Sequence, residues 1–199
     1  MNTPVRTALR TAAVTAGGAG TLGYSLSREP GSPRFFAATA ATAAIWCAGA
    51  LPRRVSGGPV LAPVAAGAGA FALFRVGAAV AGRIPPLRRA LRGVLGYATA
   101  GNRAAVALTT LANGAAEELY FRGALYDRLG PRRSTAVYVL VTGATRNPAL
   151  IAASVVMGTL CTWQRRASGS VRAPLVTHLV WSALMLWCLP TLVSEDPPS

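Results

Sequence analysis

Two adjacent glutamates and an arginine four residues further on, Glu117-Glu118-Leu119-Tyr120-Phe121-Arg122, lie in a stretch apolar enough to be buried in lipid. An ionised side chain near a bilayer centre costs about 2.5–3.5 kcal/mol, so charge kept there needs a partner and usually a purpose. On a helix, residues four apart share a face and consecutive residues point about 100° apart. Glu118 can therefore pair with Arg122 while Glu117 faces elsewhere, with Asn113, one turn earlier, in reach to orient it. A carboxylate without a charged partner in an enclosed cavity is suited to general-base chemistry. The plainer reading has the Glu118–Arg122 pair joining helices and Glu117 exposed near an interface.

A second polar pair, His178 and Ser182, is also one helical turn apart and projects to one side of the last apolar segment. Such a pair serves either as a helix-bridging donor set or as the stabilising side of a developing oxyanion. The third polar interruption is Thr145-Arg146-Asn147-Pro148, where Asn-Pro is a turn signal.

Apolar segments must position these groups. Spans are expected at Thr7 to Ser27, Arg34 to Leu51, Val60 to Gly82, Ala104 to Asp127, Ser134 to Ala144, Ala149 to Gln164 and Val171 to Leu192. The fifth and sixth are short of the roughly 20 residues that cross a bilayer untilted. The expected fold is all-α: a polytopic transmembrane helical bundle of about six to seven membrane helices. Residues 1–100 form N-terminal membrane helices plus an interfacial segment, 101–193 the core with the polar groups, and 194–199 a disordered acidic, Pro-rich tail.

The first span carries Gly17, Gly18, Gly20 and Gly23 and lacks a Leu-rich core, which reads as a retained helix rather than a signal peptide. Its glycines either admit a neighbouring helix or reflect a Gly-rich composition. From Arg83 to Leu95, Leu and Val alternate with Arg after Pro85-Pro86, the pattern of an interfacial amphipathic segment. Arg75 is an intramembrane charge without a local acidic partner.

Composition agrees. The 199 residues are 52% hydrophobic and 13% charged, with mean hydropathy +0.41, which excludes an ordinary water-soluble domain with a polar shell. All 20 basic residues are Arg, and they punctuate the apolar runs at Arg53-Arg54, Arg88-Arg89, Arg132-Arg133 and Arg165-Arg166. The net charge of +14 thus points to anionic lipid headgroups, with no continuous basic stripe for nucleic acid. The Ala, Gly and Arg usage suggests a GC-rich bacterial genome, hence the bacterial cytoplasmic membrane. Cys47, Cys161 and Cys188 are far apart in apolar runs and read as buried, inert thiols.

Order and spacing over Ala104 to Leu189 resemble the CAAX-processing and bacteriocin-processing (CPBP) intramembrane glutamic endopeptidases, also known as abortive-infection or CAAX prenyl protease-like proteins. The family's first motif, a Glu pair then Arg, is matched by Glu117, Glu118 and Arg122. Its third, His then Asn four residues later, is matched at His178 with Ser182 in place of Asn. Its second, an aromatic then His four residues later, meets Val141 and Thr145, with Asn147 the other polar residue nearby.

The resemblance implies an intramembrane endopeptidase that hydrolyses a peptide bond of a membrane-associated protein with a glutamate-activated water. Glu117 would be the base, and His178 with Ser182 the oxyanion side. The missing second-motif His leaves three expectations open. Thr145 or Asn147 positions the water, His178 takes the base role, or the protein is a catalytically inactive relative acting as a membrane binding or scaffold protein. No cofactor or metal is expected, because Arg122 occupies Glu118 and leaves two ligands where a catalytic zinc takes three.

Overall fold

A computed structural model describes residues 3–50 and 57–193. The expected tail 194–199 and the Arg53-Arg54 cluster lie outside the described residues. Among the described residues every element is helical: α1 (Thr3–Ser25), α2 (Pro33–Ala50), α3 (Leu61–Ala81), α4 (Pro85–Thr99), α5 (Arg103–Glu117), a π-helical segment (Glu118–Ala124), α6 (Leu125–Gly143), α7 (Pro148–Ser168) and α8 (Arg172–Val193). The all-α expectation holds. Among the described residues one helix, α3, is by its own length and composition apolar enough to cross a membrane. Of the six to seven membrane helices expected, one is thus shown among the described residues. The physical reason is dilution, since α1 and α2 are built largely of Ala, Gly and Thr, and α5 and the π segment carry charge.

Caps fix the helix starts. The Asn102 side chain accepts from the Ala104 and Ala105 amides and starts α5. The Asn147 side chain does the same for Ala149 and Leu150, with Pro148 at the first position of α7, so the Asn-Pro turn signal is in fact a helix start. Helix α7 is therefore an unbroken 21-residue rod, about 30 Å long and longer than expected. Helix α6 is broken at Gly130, whose φ of 77° is open to glycine at no steric cost, followed by Pro131. Residues 131–143 then span about 20 Å, too short to cross a hydrocarbon core alone.

The core is an aromatic ladder. Trp46 of α2 stacks on Tyr120 at 5.0 Å and meets Phe121 edge-on at 5.0 Å, and Phe121 meets Tyr138 of α6 edge-on at 5.0 Å. Gly18 of α1 makes room for Trp46, because a Cβ there would stand 2.1 Å from the indole ring. A Cβ on Gly23 would likewise stand 2.8 Å from the Ala144 carbonyl oxygen, while one on Gly17 or Gly20 would meet open space. Two of the four glycines in α1 are thus contacts. On the other side Thr177 of α8, fully buried, donates to the Pro63 carbonyl of α3 at 2.9 Å and accepts from Gln164 of α7 at 2.8 Å. Cys161 is buried as expected, whereas Cys47 and Cys188 are half-buried because their helix faces reach the surface.

Helix α4 is amphipathic, as its sequence pattern requires. Val94, Tyr97 and Ala98 line a cavity, while Arg88 and Arg89, with Arg83 just before the helix, are exposed. The Tyr97 hydroxyl lies 2.6 Å from the Leu26 carbonyl and 2.8 Å from that of Arg28, which ties α4 to the end of α1. Arg75 is exposed on α3.

Candidate active site

The helix carrying the glutamates changes pitch at Glu118, where α5 gives way to the π segment. Single π turns inside α-helices occur frequently at functional sites, because the wider turn loosens backbone pairing and re-aims side chains. Here the Arg122 carbonyl within that turn accepts from Arg165 Nε of α7 at 2.9 Å. Arg165 also bridges to the exposed Asp127 at 3.0 Å.

Glu118 and Arg122 form the expected ion pair at 3.1 Å, with Glu118 0% and Arg122 1% exposed. The guanidinium also lies 4.1 Å over the Tyr138 ring, a cation–π contact. The same Glu118 oxygen, Oε1, stands 2.7 Å from His178 Nδ1. The imidazole is thus bonded to the paired glutamate. The reason is satisfaction: a buried carboxylate has room for several donors, and Arg122 supplies one. With Glu118 ionised, Nδ1–H donates and Nε2 is the nitrogen left over. Gly114, one turn before Glu118, packs beside the ring, and a Cβ there would make ordinary van der Waals contact with Cδ2 and Nε2 at 3.4 Å.

Glu117 is half-buried and makes hydrogen bonds of its own. Its Oε1 accepts from Asn113 Nδ2 at 2.8 Å, the contact expected from their spacing, and its Oε2 stands 3.3 Å from the Tyr138 hydroxyl. It lines a cavity of about 450 Å³ together with Asn113, Tyr138, Thr142, Thr145, Asn147, His178 and Ser182. All the sequence-derived polar candidates except Glu118 and Arg122 therefore reach one chamber. Its remaining wall is largely apolar and includes Leu22, Phe35, Met157 and Met185. Among the described residues no three His, Cys, Asp or Glu side chains are arranged to hold a metal ion.

Thr145 and Asn147 reach the chamber with their polar atoms already engaged. The Thr145 hydroxyl donates to the Thr142 carbonyl at 2.7 Å, and Asn147 spends its oxygen on the α7 cap and its Nδ2 on the Ala90 carbonyl at 2.9 Å. The expectation that one of them positions a water meets this obstacle: both build the turn between α6 and α7. Ser182 is buried one turn beyond His178, as its spacing requires.

The residue that sequence reading missed is Tyr138. A signal was present: Tyr138 is an aromatic followed four positions later by a polar residue, Thr142, the second-motif pattern set three residues earlier than Val141 and Thr145. Both Tyr138 and Thr142 line the chamber.

Residues 99–184 match the family model described as type II CAAX prenyl endopeptidase Rce1-like. No curated protein and no solved structure gives a significant match. The matched segment contains Glu117, Glu118, Arg122, Tyr138 and His178, and over these residues the chain is similar to that family.

Proposed function

We propose that the protein is an intramembrane endopeptidase in which Glu117 activates a water for attack on a peptide carbonyl of a membrane-associated protein. The observation that carries this reading is the contrast between neighbouring carboxylates. Glu118 is cancelled by Arg122 and His178, whereas Glu117 opens on a cavity of about 450 Å³ and is held by two neutral donors. The family match points to a CAAX-type substrate, and the bilayer, reached through α3 and bordered by the arginines of α4, is where the substrate meets the chamber. The composition suggests a bacterial cytoplasmic membrane.

In the proposed cycle, Glu117 takes a proton from water as the water oxygen bonds to the carbonyl carbon. Ser182 donates its hydroxyl hydrogen to the developing oxyanion, and His178 donates from Nε2 when the ring is the imidazolium bonded to ionised Glu118. As the C–N bond breaks, the protonated Glu117 delivers the proton to the leaving amine. A positioned base of this kind contributes about 10²–10⁴-fold and an oxyanion donor about 10²–10³-fold. Protein reconstituted in vesicles and supplied with a fluorogenic, isoprenylated CAAX-ending peptide tests the reading. Glu117→Gln keeps the shape and removes the basic oxygen, and cleavage should fall at least about 10²-fold with insertion intact. Unchanged cleavage by the Gln variant eliminates Glu117 as the base.

A second reading is favoured by the engagement of Thr145 and Asn147 in the turn: a non-cutting relative that grips a peptide in the same chamber. The same vesicles separate the two. Saturable binding of the peptide by the wild-type protein without cleavage supports the scaffold role.

A further inference from the structure

Tyr138 is buried, 7% exposed, and fixed on three sides. Its ring face receives the Arg122 guanidinium at 4.1 Å, its ring packs edge-on against Phe121 at 5.0 Å, and its hydroxyl oxygen stands 3.3 Å from Glu117 Oε2. A phenol locked in this way keeps one free torsion, that of its O–H bond, and a carboxylate oxygen lies within reach of it.

The other Glu117 oxygen is held by Asn113 at 2.8 Å. One neutral donor on each oxygen fixes the plane of the carboxylate and leaves lone pairs on both oxygens open to the chamber. Neither donor cancels the charge, as Arg122 does for Glu118. A base needs this combination of orientation without neutralisation.

We infer that Tyr138 is the positioning residue for Glu117, taking over the orienting task that the sequence leaves without a second imidazole. The inference rests on the reading of Glu117 as the base. The proton count closes without a further co-reactant. When Glu117 Oε2 takes a proton from water, the phenol keeps its own hydrogen, turns its O–H aside and accepts from the new carboxylic acid. When the acid returns that proton to the leaving amine, the phenol swings back to donate. Tyr138 begins and ends the cycle with one hydrogen.

The test uses full-length protein in vesicles with the isoprenylated CAAX-ending peptide. Tyr138→Phe deletes the hydroxyl and keeps the ring against Arg122 and Phe121. It should lower kcat about 10–100-fold, the usual cost of removing an orienting partner, with KM within about twofold and the unfolding midpoint little changed. In a Glu117→Asp background, where the carboxylate is withdrawn by one methylene, the same change should lower kcat less than about twofold, because the contact is already gone. An equal loss in both backgrounds, or a rise in KM at unchanged kcat, overturns the inference.

Infrared difference spectroscopy gives a readout independent of turnover. The carboxylate band lost in Glu117→Gln identifies Glu117, and Tyr138→Phe should shift it. An unmoved band overturns the inference whatever the activity. A shifted band in a protein whose wild type cuts nothing upholds the hold of Tyr138 on Glu117 and removes the hydrolase reading.

Discussion

Breaking the Glu118–Arg122 pair should destabilise the protein by different amounts depending on which partner is removed. The two charges are 3.1 Å apart and almost wholly excluded from solvent. At an effective dielectric constant of about 20 they attract by about 5 kcal/mol, and removing one partner of a buried pair costs about 3–5 kcal/mol. Arg122→Met leaves Glu118 beside the His178 imidazole at 2.7 Å, which can take up a proton and replace part of the lost charge, so the loss belongs near the lower figure of about 3 kcal/mol. Glu118→Gln strands a guanidinium over the face of the Tyr138 ring, with Nη2 already lacking a hydrogen-bond partner, so the loss belongs near about 5 kcal/mol. The double variant removes both charges and should be less destabilised than the sum of the two by at least about 2 kcal/mol. Reversible unfolding in detergent, followed by tryptophan fluorescence and circular dichroism, measures all four proteins. Additive losses, or a single loss below about 1 kcal/mol for Glu118→Gln, would refute the reasoning that this pair is dry and mutually dependent.

Two further variants probe the frame around the site. Gly18→Ala places a methyl 2.1 Å from the Trp46 ring, which is itself held by Tyr120 and Phe121, so the unfolding midpoint should drop by the equivalent of about 1–3 kcal/mol, the range for overpacking a filled core. Asn147→Ala removes the α7 cap and the tie to the Ala90 carbonyl. It should cost about 1 kcal/mol in the same unfolding assay and leave kcat within about twofold, as befits a turn-building residue rather than one that holds water.

What the sequence could show follows from how local each interaction is. The Glu118–Arg122 pair and the Asn113–Glu117 contact are one helical turn apart, and the 3.6-residue period sets both without reference to any other helix. The amphipathic α4 and the apolar α3 are legible for the same reason: each is a property of one helix. The choice of Glu118 by His178 spans sixty residues of chain, and that of Glu117 by Tyr138 spans twenty-one, so both are decided by where α6 and α8 pack. The π turn at Glu118 is equally hidden, because a carbonyl within it, that of Arg122, takes a hydrogen bond from Arg165 of another helix.

Adjacent glutamates on one helix would, if both were charged and near each other in a dry core, repel and drive one to protonate. The fold separates their tasks by surrounding them differently. Glu118 is met by a guanidinium in its own turn and an imidazole from α8, which consumes its charge and in return fixes the ring of the only histidine in the chain. Glu117, one residue earlier, accepts its hydrogen bonds from an amide and a phenol, groups that orient but carry no charge. Arg122 links the two environments, bonded to Glu118 on one side and lying over the ring of the phenol that holds Glu117 on the other. Each partner therefore constrains the next: the ion pair seats Tyr138, Tyr138 seats Glu117, and Glu117 is left as the carboxylate open to the chamber. Loss of the ion pair should accordingly reach the base through the ring that both share.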